Sequence, residues 1–137
     1  MNVGYSFQDS AIAFIVAFVA AGLFTIAFKV IYQAATPYSE RTLIRDGNVA
    51  AAITLGAALL GYVLPLASAL THTVTLVEFA VWAVLAGVIQ IVAALVVRRL
   101  VMRDIHDRIV RGDIAAATYM GSISLCVGIL NAACMTN

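Results

Sequence analysis

Four long apolar runs dominate the chain: roughly Ala11–Ile31, Val49–Leu70, Leu76–Val97 and Ile114–Cys134. Each holds about 20 residues, which at a 1.5 Å rise covers a hydrocarbon core of about 30 Å. Lipid offers no partner to backbone N–H and C=O groups, so each run is expected to be a helix. Polar residues fall between the runs. The Thr71–Thr75 connection is short enough to force an antiparallel hairpin. The pattern predicts an all-α integral membrane protein with four transmembrane helices. Pro65 is expected to kink the second of them. A cleavable signal peptide is the rival reading of the first run. Met1–Ser10 carries no Lys or Arg, however, and the apolar stretch is long for that role.

Composition sharpens this picture. The chain is 64% hydrophobic and 11% charged. A soluble domain is about half apolar and a quarter charged, so lipid is the expected solvent. Charge then gives direction. The eight basic residues are Lys29, Arg41 and Arg45 around the first connection, and Arg98, Arg99, Arg103, Arg108 and Arg111 around the third. The Thr71–Thr75 turn and both terminal segments have none. The positive-inside rule places the two basic connections in the cytoplasm and both termini outside. The expected location is a membrane, crossed several times.

Sliding the sequence by 65 residues aligns Gly22 with Gly87, Gly47 with Gly112 and Gly56 with Gly121, three pairs drawn from nine glycines. Ile44 then falls on Ile109, and Ala50–Ala52 on Ala115–Ala117. The expectation is two tandem hairpins in parallel orientation, residues 1–70 and 71–137, forming one membrane domain. Small residues four apart allow helices to approach closely, which marks Ala52/Gly56, Ala83/Gly87 and Ala117/Gly121 as candidate packing steps. In the first helix Gly22 is in place, but Phe18 stands where Ala83 does, so the pseudo-symmetry is expected to be approximate. Asn48 and Asp113, each following a glycine, read as N-caps of the even-numbered helices.

Polar residues inside spans are the usual functional flags. Gln90, with Thr25 at the equivalent place 65 residues earlier, forms a candidate polar level. Interhelical hydrogen bonding is its expected role. Lys29 can snorkel to the interface, and Glu78 complements a helix N-terminus. Trp82, Tyr62 and Tyr5 on one side, with Tyr32 and Tyr38 on the other, fit interfacial aromatic belts. Thr36-Pro37 suggests an N-cap opening a short interfacial helix over Pro37–Asp46. Val101, Ile105 and Ile109 form an apolar stripe in the arginine-rich connection. Its arginines Arg98, Arg99, Arg103, Arg108 and Arg111 are a candidate surface for anionic headgroups or a cytoplasmic protein. No cofactor or metal is expected. His72 and His106 lie on opposite sides of the membrane, Cys126 and Cys134 are too far apart on one helix to bond, and no nucleotide-binding or zinc motif occurs.

The segment Ile44-Arg45-Asp46-Gly47-Asn48-Val49-Ala50-Ala51-Ala52, its echo Ile109-Val110-Arg111-Gly112-Asp113-Ile114-Ala115-Ala116-Ala117, and the four-span layout resemble the YjfL-type bacterial inner-membrane proteins. The resemblance covers nearly the whole chain. It implies a tandem two-helix repeat of unknown function in the inner membrane, sometimes near membrane-stress components, with no catalytic residues to carry over. The expected function is therefore a non-enzymatic structural or scaffold component, self-associating as a homo-oligomer and binding no nucleic acid. A small oligomeric channel lined at the Gln90/Thr25 level is the alternative.

Overall fold

Ser6 opens the first helix by a reciprocal cap. Its hydroxyl accepts from Asp9 N–H at 3.2 Å, and Asp9 Oδ2 accepts from Ser6 N–H at 3.3 Å. This box starts helix α1 at Phe7, four residues before the apolar run, and α1 continues to Ala35. At 29 residues it is about 43 Å long, more than the hydrocarbon core requires. Pro37 then disfavours helical backbone at Thr36, which adopts φ −91°, ψ 130° and ends the helix. In this computed structural model, Gly4 and residues 6–136 are described; Tyr5, assigned above to an aromatic belt, lies outside the described residues.

The remaining elements are α2 (Glu40–Arg45), α3 (Val49–His72), α4 (Leu76–Val96), a π-helical turn (Val97–Val101), α5 (Ile105–Val110) and α6 (Ile114–Cys134). No strand occurs among the described residues, and four helices are long and apolar enough to span a bilayer. Thr75 and Glu78 secure the tight hairpin. Thr75 Oγ1 accepts from Glu78 N–H at 3.1 Å, while Glu78 Oε2 accepts from Val74 N–H at 3.2 Å. Pro65 lies inside α3, which remains helical throughout.

Both short helices end in a Schellman motif. Gly47 and Gly112 take positive φ, 86° and 83°, where a Cβ would be strained. Asn48 N–H then donates to Leu43 O at 2.8 Å, and Asp113 N–H to Arg108 O at 2.9 Å. These pairs are 65 residues apart. So are the starts of α2 and α5, and of α3 and α6.

Helices α3 and α6 form the centre, with α4 against both and α1 against the outside of α3 and α4. Only Phe28 and Tyr32 of α1 are buried. Phe28 stacks on Tyr62, centroids 4.3 Å apart, and Phe24 meets Phe79 edge-on at 5.6 Å. Tyr62 is not in an interfacial belt. It is 2% exposed, and its hydroxyl donates to Ala83 O at 3.0 Å. That hydrogen bond removes the cost of burying a phenol. Trp82 stays at the surface.

The closest helix approach is at α3–α6. A Cβ added at Gly128 would collide with the carbonyl oxygen of Gly61, and one at Gly61 with Gln90 Nε2 and Ser124 O. Pro65 explains part of this, because it lacks the N–H that would bond the Gly61 carbonyl within α3. That freed carbonyl faces the Gly128 backbone, a geometry suited to a Cα–H···O contact. A Cβ at Gly121 would stand 2.9 Å from Ala57 Cβ. The α3 packing step is thus Ala57/Gly61, five residues beyond Ala52/Gly56. Ala52 is exposed, and nothing lies within 4 Å of a Cβ at Gly56 or Gly22. Ala83 and Gly87 admit the Tyr62 ring rather than a helix backbone. Ala117 and Gly121 are buried against α3.

Candidate functional site: a buried polar cluster at the arginine-rich end

Of five buried side-chain polar atoms without a hydrogen-bond partner among the described residues, four lie together: Tyr38 Oη, Glu40 Oε1 and Oε2, and His106 Nδ1. Unsatisfied buried polar atoms are uncommon enough that a cluster of them calls for an explanation. Three local events assemble it. Thr36 does not cap α2. Its hydroxyl turns back to Tyr32 O at 2.9 Å, so Ser39 becomes the N-cap and α2 starts at Glu40, not Pro37. The intervening Tyr38 lays its ring on His106, with centroids 4.9 Å apart. The π-helical turn directs Arg98 back toward α1, where Nη2 donates to Tyr32 Oη at 3.0 Å and Thr36 Oγ1 at 3.2 Å. The guanidinium also sits 5.2 Å from the Tyr32 ring centroid. Tyr32 and Tyr38 are therefore cluster members, not belt residues.

Glu40 is the least expected member. It is 1% exposed, as is Ile105, which stands 65 residues later at the first position of α5. A carboxyl thus occupies the place where the other short helix anchors with an apolar side chain. Burial pushes the Glu40 carboxyl up to about 7, against the pull of Arg98 and smaller contributions from Thr36, Gln33 and Lys29. Burial likewise raises Tyr38 above the usual phenol range. Nothing in the residues beside Glu40 marks it as buried. Its 65-residue correspondence with Ile105 was the available signal.

The five connection arginines do not form one surface. Arg108 lies 3.5 Å from Asp104 and 3.3 Å from Asp113, and so is compensated. Arg111 lines a cleft of about 420 Å³ with Asp46, Asn48 and the starts of α3 and α6. Arg98, Arg99 and Arg103 line a separate cavity of about 320 Å³ with Ala35, Leu95 and His106. The apolar stripe is also divided. Ile105 and Ile109 are buried, whereas Val101 is exposed because the chain breaks at Met102 (φ −142°, ψ 86°).

Asn48 and Asp113 both cap. Asn48 Oδ1 accepts from Ala51 N–H at 3.0 Å, and Asp113 Oδ1 from Ala116 N–H at 3.1 Å. Asn48 Nδ2 also donates to Ile109 O at 2.9 Å and Val110 O at 3.2 Å, tying the two connections together.

Gln90 and Thr25 are not brought together. Gln90 is buried and donates to Ser124 O at 3.2 Å, in the α3–α4–α6 core. Thr25 faces the α1–α3 groove beside Gly22 and Val63, and its hydroxyl donates to Ala21 O of its own helix at 2.8 Å. Asn131 to Ala86 O (3.4 Å) and Ser68 to Ala132 O (3.0 Å) add further cross-helix bonds. Gly61 and Gly128, which make the tightest contact, were missed in the sequence because they are not 65 residues apart.

The sequence model of the Domain of Unknown Function family DUF350 matches residues 6–135. The chain is 39% identical over 128 residues to the UPF0719 inner membrane protein YjfL of Escherichia coli (strain K12), an alignment covering 93% of this chain and 96% of that protein. The YjfL protein of Escherichia coli O157:H7 matches to the same extent. No solved structure matches. With four spanning helices and similarity along almost its full length, this chain belongs to the DUF350 family of YjfL-like inner-membrane proteins.

Proposed function

We propose that the chain is a non-enzymatic structural component of the inner membrane, built from a duplicated two-helix unit and self-associating in the bilayer. Its arginine-rich end is in the cytoplasm and its termini are outside, following the distribution of basic residues. The paired Schellman caps and helix starts 65 residues apart support the duplication. The observation that carries the structural role is the α3–α6 contact. Backbone meets backbone at Gly61 and Gly128, so the centre of the bundle is packed and offers no path within one copy of the chain. The polar side chains beside it are turned onto carbonyl oxygens of neighbouring helices. Helix α1 touches the bundle along one stripe only and supplies the surface for copies of the chain.

Reconstitution into liposomes tests the role. The expected result is no flux of ions or small solutes above protein-free vesicles, with intermolecular crosslinking through α1. Flux above that of protein-free vesicles would replace this reading with a channel between protomers. Orientation is tested separately: Cys134, exposed near the end of α6, should react from outside with a membrane-impermeant maleimide.

A further inference from the structure

We propose that Arg98, Arg99 and Arg103 form a binding site for the phosphate of an anionic phospholipid headgroup, in the cavity between the end of α1, the π-helical turn and α5. This rests on the orientation given above, but not on the structural role.

Three observations carry it. First, among the described residues none of these guanidiniums has a carboxylate within 4.0 Å, whereas Arg108 nearby has two. Charge is compensated on one side of α5 and left open on the other. Second, the backbone holds the three together. The π-helical turn places Arg98 and Arg99 beside the α1 end, and Arg103 folds back so that its Nε donates to Arg99 O at 3.1 Å. Remaining N–H groups of three arginines lining one cavity suit an oxyanion. Third, the cavity of about 320 Å³ has an apolar wall of Ala35, Pro37 and Leu95, at the end of a spanning helix. A free phosphate needs no such wall, whereas a lipid places its glycerol and acyl carbons there.

The surrounding charges are consistent with an anion. Asp104 is engaged by Arg108, and Asp107 lies 3.9 Å from His106 Nε2. Glu40 acts on Arg98 from α2, and its burial leaves it only partly ionised near neutral pH. Lys29 lies farther along α1 and adds positive charge.

The test is native mass spectrometry of the full chain in non-ionic detergent, titrated with phosphatidylglycerol, phosphatidylcholine and inorganic phosphate. Phosphatidylglycerol should be retained and phosphatidylcholine should not. Arg99→Gln/Arg103→Gln, both at exposed positions, should weaken retention roughly tenfold or more. Arg41→Gln/Arg45→Gln removes the same charge from the other connection and should change it less than about twofold. Equal losses in the two double variants would overturn the site in favour of diffuse surface charge. Competition by inorganic phosphate at concentrations matching the lipid would identify a soluble anion instead. Micelles have no sidedness, so an inverted orientation would leave this titration unchanged and appear only in the Cys134 labelling.

Discussion

Replacing Glu40 by glutamine should make the protein more stable at pH 8, with the gain shrinking to under about 1 kcal/mol at pH 5. The carboxyl is buried without a hydrogen-bond partner, and its ionisation lies near 7 rather than the ordinary 4.5. Below about 4.5 it is protonated in both folded and unfolded chains, and the folded state carries no penalty. Between about 4.5 and 7 the unfolded chain loses its proton while the folded chain keeps it, so stability falls as pH rises. Above about 7 both are ionised and the loss is constant. A difference of 2.5 pH units at 1.36 kcal/mol each gives a total loss of about 3 kcal/mol. Arg98 offsets part of the burial penalty and is already included in that position of the titration. Glutamine keeps the shape and cannot ionise, so its stability should be flat across the window. Equilibrium unfolding by SDS titration in mixed micelles, at half-unit steps from pH 4.5 to 8.5, measures this. Parallel wild-type and Glu40→Gln curves would refute the reasoning, as would a variant less stable than wild type at pH 8. Glu40→Ile, which installs the side chain found at Ile105, should behave as the glutamine variant does.

Other substitutions test the packing. Gly128→Ala places a methyl against the Gly61 carbonyl and should destabilise by about 3 kcal/mol or more, since neither backbone can yield. Gly56→Ala has open space and should be within about 0.5 kcal/mol of wild type in the same assay. Asn48→Ala removes both the α3 cap and the tie to the second connection, at a cost of about 1–2 kcal/mol, visible as faster hydrogen exchange at Ala51. Gln90→Leu should cost less than about 1 kcal/mol, because the lost bond to Ser124 O is offset by removing the unpaired Oε1.

How much of this was legible in the sequence depends on the range of the physics involved. The four spans were read from apolar run lengths, because lipid imposes helix on every segment that crosses it. The Asn48 and Asp113 caps were legible because a cap acts within three residues of itself. Helix ends were set less well. The Ser6/Asp9 box extended α1 beyond its apolar run, and Thr36 capped the end of one helix instead of the start of the next. Both outcomes turn on which of several nearby carbonyls and N–H groups a hydroxyl finds first.

The candidate site was hardly legible. Its members come from α1, α2, the π-helical turn and α5, and no spacing along the chain links Tyr32, Glu40, Arg98 and His106. Whether a glutamate in a first helical turn is solvated or buried depends on what packs over it, and that is a three-dimensional fact. Helix packing divides in the same way. Small residues at four-residue spacing were visible everywhere in a chain this rich in alanine, but the sequence could not say which of them meet. Ala57/Gly61 was chosen over Ala52/Gly56 because Gly61, with its carbonyl freed by Pro65, faces Gly128 across the α3–α6 crossing. By itself the sequence determined the solvent, the number of crossings and the local caps, since these follow from composition and short-range bonding. Only the tertiary structure decided which glycines touch, which arginines are left without a counter-charge, and that Glu40 is out of water, since each depends on contacts between segments far apart in the chain.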